Sequence, residues 1–405
     1  MNLKSGLSIS LLVADKNNII NMSSLSANDE IDEAKEREHF KAVVTAFKYY
    51  KLCGIERIHK SENIISKLPQ SHQRRLEKYR AYLSKFRKCL DVNNSIVHLI
   101  IKDVDTMFEN VDHSNTDISG TNGTESFGCN YNNCEITSHK QHKMQHDVEK
   151  VQSVLKNIVR DWSEMGAAER KQCYGPILNE LDVRYPLEEF SDRSRIKVLV
   201  PGAGLGRLAW EVANRGYTCQ GNEFSLFMLF ASNFVINRCS DVNMHTVYPW
   251  LHQYVNNLTC DHQLRAAMFP DVKPSMDRPK YNFSMTAGDF LKVYKEANEW
   301  NCVASCFFID CAPNVIEFIE RIYTILMPGG YWINLGPLLY HYSDMPTENS
   351  IEPPYDILLD IIRDVGFEIL QERTGVKTKY AQNPNSMMQH EYDSVFFVCR
   401  KPFGV

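Results

Sequence analysis

Between Lys197 and Ala213 the chain reads KVLVPGAGLGRLAWEVA: an apolar run, glycines at alternate positions (Gly202, Gly204, Gly206) and a helix-forming run. Glycine lets the backbone turn tightly there and approach a ligand at the start of the helix, where unpaired N–H groups collect. Dinucleotide enzymes carry G-x-G-x-x-G at this point, a spacing that suits a pyrophosphate. The spacing here is G-x-G-x-G, common in methyltransferases and pointing to S-adenosylmethionine, while a glycine turn by itself also serves simple packing. Glu223 closes the next apolar run, GYTCQGNEFS, about 20 residues past the loop, where a carboxylate can accept from both ribose hydroxyls. A third mark is Thr286-Ala287-Gly288-Asp289-Phe290: Asp289 suits the adenine amino group and Phe290 its flat face. Singly, a strand-end acid also reads as a turn residue and a Phe as core; in register, the three favour a cofactor. A dinucleotide oxidoreductase stands second on fold grounds. A silent scaffold that only binds partners is a third reading, and the intact Gly202, Gly204, Glu223 and Asp289 speak against it.

These residues need a sheet to hold them. From Ile196 onward short apolar runs (KVLV, YTCQGNEF, CVASCFFID, YWINLGPLL) alternate with helical stretches, which predicts an α/β fold with a parallel sheet covered on both faces. The expected class is a class I S-adenosylmethionine-dependent methyltransferase, Rossmann-like, with a mostly parallel seven-stranded sheet whose last strand, SVFFVCRKP, runs antiparallel. This domain, with preceding cap helices broken near Gly166, is expected over residues 146–405. Upstream, residues 28–111 read as an N-terminal helical region. Its first helix sets Phe40, Val43, Val44, Phe47 and Tyr50 at helical spacing and is expected to end at Gly54; more helix follows from Pro69. Residues 1–27 read as a disordered leader. Residues 112–145, rich in Ser, Thr, Asn and Gly, read as a polar disordered insert.

A net charge of −5, with basic residues spread along the chain, predicts no nucleic-acid partner. No apolar run approaches the ~20 residues of a membrane span, so no membrane is expected. The twelve cysteines are scattered through strand-like and helix-like segments, which suits a reducing compartment better than a disulfide framework. Their spacings match no zinc ribbon or finger, and no metal is expected.

Longer strings are more specific. EREHFKAVVTAFKYYK, RDWSEMGAAERKQCYGPI, VPGAGLGRLAWEVANRGYTCQGNEFSLFMLFASNFVINRCS, NFSMTAGDF and PGGYWINLGPLLYH closely resemble the carnosine N-methyltransferase family, from about residue 36 to the end and broken mainly by the polar insert. The resemblance implies methylation of an imidazole nitrogen of the histidine in carnosine or a related dipeptide, giving anserine. A protein histidine is the alternative acceptor. Cofactor contacts would fall on Asn157, Arg160, Gly202, Gly204, Glu223, Asp289, Phe290 and Cys306, with Asn157 standing where a glutamine is expected. Catalytic and substrate positions would fall on Asp310, His341, Tyr380 and Tyr392; His390 competes for a substrate role. A homodimer held partly by the N-terminal helices, in the cytoplasm and also the nucleus, is implied as well.

Neutral imidazole is a competent nucleophile near pH 7, so strong base chemistry is unnecessary. One ring nitrogen must present its lone pair while the other donates its N–H to an acceptor. Asp310, expected at the end of the strand CVASCFFID, could be that acceptor and could stabilise the imidazolium that forms. His341 could relay the proton, and Tyr380 and Tyr392 could hydrogen-bond the ring or the dipeptide ends.

Overall fold

The computed structural model describes residues 9–11, 27–104, 107, 138–275, 282–345 and 349–403. Strand β1 (Ile9–Leu11) comes first, followed by helices α1 (Ala27–Ser66), α2 (Gln70–Arg75), α3 (Glu77–Ile100), α4 (Ser138–Trp162) and α5 (Ala167–Arg184). Along α3 the buried positions Leu83, Phe86, Leu90, Asn93, Val97 and Ile100 recur every three or four residues, one stripe of a helix. That stripe meets Phe40, Val43, Phe47 and Tyr50 of α1 and Val151, Leu155 and Ile158 of α4 in a single core.

Gly54 lies inside α1, which continues twelve residues beyond it to Ser66. The expected helix end is overturned by packing: a Cβ at Gly54 would come within 2.7 Å of both Leu90 methyls, so the glycine serves the close approach of α1 to α3. Gly166 marks the expected break between α4 and α5, in the short 3-10 turn Glu164–Gly166. A Cβ there would lie 2.2 Å from the Arg160 carbonyl oxygen, so only glycine fits.

The second half follows in the order β2 (Lys197–Pro201), α6 (Arg207–Asn214), β3 (Thr218–Glu223), α7 (Leu226–Arg238), β4 (His245–Val247), α8 (Cys260–Gln263), β5 (Ala267–Phe269), β6 (Phe283–Ala287), α9 (Phe290–Val293), β7 (Trp300–Cys306), α10 (Val315–Ile325), β8 (Leu326–Gly336), α11 (Tyr355–Val365), β9 (Glu368–Thr378) and β10 (Tyr392–Arg400). The main sheet has the order β1-β6-β3-β2-β7-β8-β10-β9. Strands β6, β3, β2, β7 and β8 pair in parallel, and β10 runs antiparallel to both neighbours. From β6 to β9 this is the expected mostly parallel seven-stranded sheet, with SVFFVCRKP in its antiparallel strand β10. An eighth strand is added at the edge: β1, from the segment read as a leader, pairs antiparallel with β6 along the side that β3 leaves open. The rest of residues 1–26, and residues 108–137, lie outside the described residues; residues 138–145, read as the end of the polar insert, are instead the first turns of α4.

Alternation along the strands splits the core in two. Val198, Val200, Ile333, Leu335, Phe396 and Val398 pack against α5 and α6, while Leu199, Trp332, Phe397 and Cys399 pack against α10 and α11. The N-terminal helices share their core with Phe227, Phe230 and Phe234 of α7 and with the β4–β5 pair, so they cap the sheet domain of their own chain. Every described cysteine is a free thiol.

Candidate active site

The glycine loop leaves β2 with three left-handed residues: φ is +62° at Gly202, +56° at Gly204 and +81° at Gly206. Their surroundings differ. A Cβ at Gly202 would strike the Phe308 ring at 2.7 Å and one at Gly206 would strike Ile236 at 2.9 Å, whereas at Gly204 the nearest atom is Asp161 Oδ2 at 4.0 Å. Gly204 therefore opens onto space, a cradle that a side chain would fill. Asn157, Arg160, Gly202, Cys306, Phe307 and Tyr380 line the same cleft, which encloses about 430 Å³ with its mouth included.

Glu223 sits at the tip of β3 and braces this loop. Its Oε2 accepts from Gly204 N at 2.8 Å, and its Oε1 accepts from Phe224 N at 2.9 Å and Ser225 N at 2.8 Å. Burial pushes its pKa up, and the three N–H donors pull it back. Asp289 stands at the neighbouring tip of β6, tied to Glu223 through Gly288 N and the Glu223 carbonyl oxygen at 2.9 Å; its Oδ1 caps α9 by accepting from Leu291 N. Phe290 corrects an expectation. Its ring is buried edge-on against Phe308 at 5.4 Å and Phe318 at 5.3 Å, so it offers adenine no flat face. What Phe290 can offer a ligand is its backbone N–H at the first position of α9, which has no acceptor within the helix.

Arg160, near the end of α4, is buried and shares its charge. Its Nε donates to Glu169 Oε1 at 2.8 Å, and its Nη1 donates to Asp161 Oδ1 at 2.9 Å and to the Tyr174 hydroxyl at 2.6 Å. Asn157 lies one turn earlier and spends its Nδ2 on the Ser153 carbonyl oxygen. Cys306, the last residue of β7, is half-buried, with Sγ 3.9 Å from the Cys173 carbonyl oxygen.

Directly after β7 the chain turns at Phe307. It has φ of +54°, and Gly336 makes room for it, since a Cβ at Gly336 would lie 3.1 Å from the Phe307 backbone. Its ring sits 5.2 Å from that of Tyr380 and 5.9 Å from that of Tyr392. Asp310 lies past the strand end, in the 3-10 turn Ile309–Cys311, and not in β7 itself. It is 1% exposed; Oδ2 accepts from Leu339 N at 2.7 Å, while Oδ1 is buried without a partner. Burial holds its pKa above the usual carboxylate range. His341 is exposed, and Asp310, Cys311 and His341 bring one ligand-type atom each within 4.8 Å of one another. His390 is exposed and bonded through its backbone to the Gln382 side chain.

A sequence profile described as carnosine N-methyltransferase matches residues 137–403. The mouse carnosine N-methyltransferase is 46% identical over 373 residues, covering 92% of this chain and 88% of that one. The Drosophila melanogaster enzyme is 46% identical over 387 residues, covering 92% and 81%. The chain belongs to the carnosine N-methyltransferase family. The Dictyostelium discoideum relative is 34% identical over 368 residues, covering 90% of this chain and 76% of its own. Similar solved structures include phosphoethanolamine N-methyltransferase 2 of Haemonchus contortus with S-adenosyl-L-methionine, 14% identical with a TM-score of 0.35, covering 61% of this chain and 60% of that one.

The structure brings Asn157, Arg160, Gly202, Gly204, Cys306 and Tyr380 to one cleft and sets Glu223 and Asp289 on the adjoining strand tips. Four residues escape sequence reasoning: Asp161, Glu169, Tyr174 and Phe307. The adjacency of Arg160 and Asp161 hints at a pair, and Glu169 lies nine residues on, but nothing in the text shows that the first turn of α5 folds back on the end of α4. Phe307 follows a strand like any aromatic core residue, and its left-handed backbone has no local signature.

Proposed function

We propose that this chain transfers a methyl group from S-adenosylmethionine to an imidazole nitrogen of the histidine in carnosine, giving anserine. The observation that carries this reading is Asp310 Oδ1, a buried carboxylate oxygen with no partner, beside His341 and Cys311. An unpaired buried acceptor is costly unless a ligand satisfies it, and the free ring N–H of imidazole is a donor of the right kind.

The residues also fit the cofactor: Gly204 leaves the space, Glu223 and Asp289 present carboxylates on successive strand tips, and Arg160 faces the cleft. When bound, S-adenosylmethionine supplies an electrophilic methyl group on a sulfonium. The chain's own work is positioning. Asp310 holds the imidazole in the tautomer whose lone pair faces the cleft, and its raised pKa suits it to take up the proton that the methylated ring must lose. Phe307, Tyr380 and Tyr392 offer aromatic faces to the positive charge that develops on the ring. His341 stands next to Asp310 with a ring nitrogen available for the same proton.

Mass spectrometry of carnosine incubated with the protein and S-adenosylmethionine tests the reading, with a cell extract as a second acceptor pool. A mass increase of one methyl on carnosine is expected; label entering only macromolecules would move the assignment to protein histidine. The homodimer belongs to the same reading and is checked by sedimentation.

A further inference from the structure

One carboxylate oxygen joins the two halves of the site. Glu169 Oε1 accepts from Arg160 Nε at 2.8 Å and from the Ala381 backbone N–H at 2.7 Å. Arg160 lines the cleft beside the glycine loop, on the cofactor side. Ala381 follows Tyr380, whose ring faces Phe307 on the acceptor side and lies 4.6 Å beneath the Arg160 guanidinium. Ala381 has φ of +44°, a conformation that L-residues adopt only when an outside contact holds it. Glu169 can provide that contact because it is planted in the first turn of α5, directly after the Gly166 turn.

We propose that Glu169 is a positioning residue that couples the two binding steps, so that filling the cofactor side raises the affinity of the acceptor side for imidazole. The proposal rests on the function assigned above. A ligand against Arg160 restrains the guanidinium, the guanidinium restrains Glu169, and Glu169 restrains the Tyr380–Ala381 limb before the imidazole arrives. The ordering of that limb is then already met, and the second ligand binds more tightly. Linkage makes the effect reciprocal. The far limb of the same loop is held elsewhere, by Gln253 on Ser386 and by Asn256 on Met387, away from Arg160.

Calorimetry on the full chain tests this by measuring the dissociation constant of carnosine with and without saturating S-adenosylhomocysteine. The parent is expected to show a ratio of about five or more. In Glu169→Ala the ratio should fall to near one while each ligand still binds. Glu169→Gln should retain most of it, because the amide oxygen can still accept from both N–H groups. Should the alanine variant fail to fold, Glu169→Asp keeps the charge but is one methylene short, and its ratio is expected to fall as well. A variant that loses thermal stability and weakens both ligands while keeping the parent's ratio overturns the coupling, as does a parent whose carnosine affinity ignores S-adenosylhomocysteine. A parent that binds neither ligand overturns the functional assignment instead.

Discussion

His341 is moored to Asp310 through the main chain: its N–H donates to the Asp310 carbonyl oxygen at 3.1 Å, and its ring Nδ1 lies 3.2 Å from the same oxygen. A carbonyl oxygen only accepts, so Nδ1 carries the hydrogen in that contact and Nε2 keeps a lone pair in the neutral ring. Holding His341 by the carbonyl spares the carboxylate. With Oδ2 on Leu339 N, Oδ1 is left for an incoming donor.

Asp310→Asn keeps the shape and the bond to Leu339 but removes the charge that stabilises a forming imidazolium. Turnover of carnosine, followed by mass spectrometry, should fall by about 100-fold or more. Rates comparable to the parent would remove Asp310 from its assigned place.

The same substitution should raise the unfolding temperature at pH 7. Burial lifts the folded-state pKa of Asp310 above its unfolded value, so the folded chain binds this proton more readily. Its stabilising contribution is therefore complete in acid and is lost as pH rises through the folded pKa. The gain of the Asn variant over the parent should shrink to nothing below about pH 4, where the parent's carboxyl is protonated in both states. Thermal scans at the two pH values check this, and a variant less stable than the parent at pH 7 contradicts it.

Gly204→Ala should fold and lose ligand. Its φ of +56° costs an L-residue about 1–2 kcal/mol, and the new methyl meets nothing closer than Asp161 at 4.0 Å on the protein side. It enters the cleft instead, so affinity for S-adenosylhomocysteine should drop at least about tenfold, near 1.4 kcal/mol. Gly206→Ala meets Ile236 at 2.9 Å and should show its defect in thermal stability.

Phe307→Ala removes the ring between Tyr380 and Tyr392. Aromatic contacts of this kind contribute about 0.5–1.5 kcal/mol, so the KM for carnosine should rise by about two- to tenfold. The affinity for S-adenosylhomocysteine, measured in parallel, should change less.

Gly166→Ala should be among the most damaging single changes outside the cleft, because its methyl would meet the carbonyl oxygens of Val159 and Arg160 at 2.4 and 2.2 Å. Displaced backbone of this kind costs about 1–3 kcal/mol or more, and the shift falls on Arg160. Thermal stability and cofactor affinity should both decline.

Local features were legible in the text because their physics is local. The strand, glycine turn and helix around Gly202–Gly206 follow from apolar period and glycine's freedom at positive φ, and Glu223 sits at the expected strand tip. The parallel order of the sheet follows from alternation of strand and helix. Gly54 misled because one residue type serves two purposes: it can end a helix or admit a neighbour, and only Leu90 of a second helix decides between them.

Residue identities and spacing alone determined the fold class, the glycine loop and, through long strings shared with relatives, the family. Tertiary structure alone decided that Phe290 turns its ring into the core, that Ile9–Leu11 extends the sheet, and that Glu169 meets both Arg160 and Ala381, which is 212 residues away. It also decided that one oxygen of Asp310 is left bare. Backbone conformation and period act over a few residues, whereas side-chain direction and the pairing of buried polar atoms depend on neighbours that only the folded chain brings within reach.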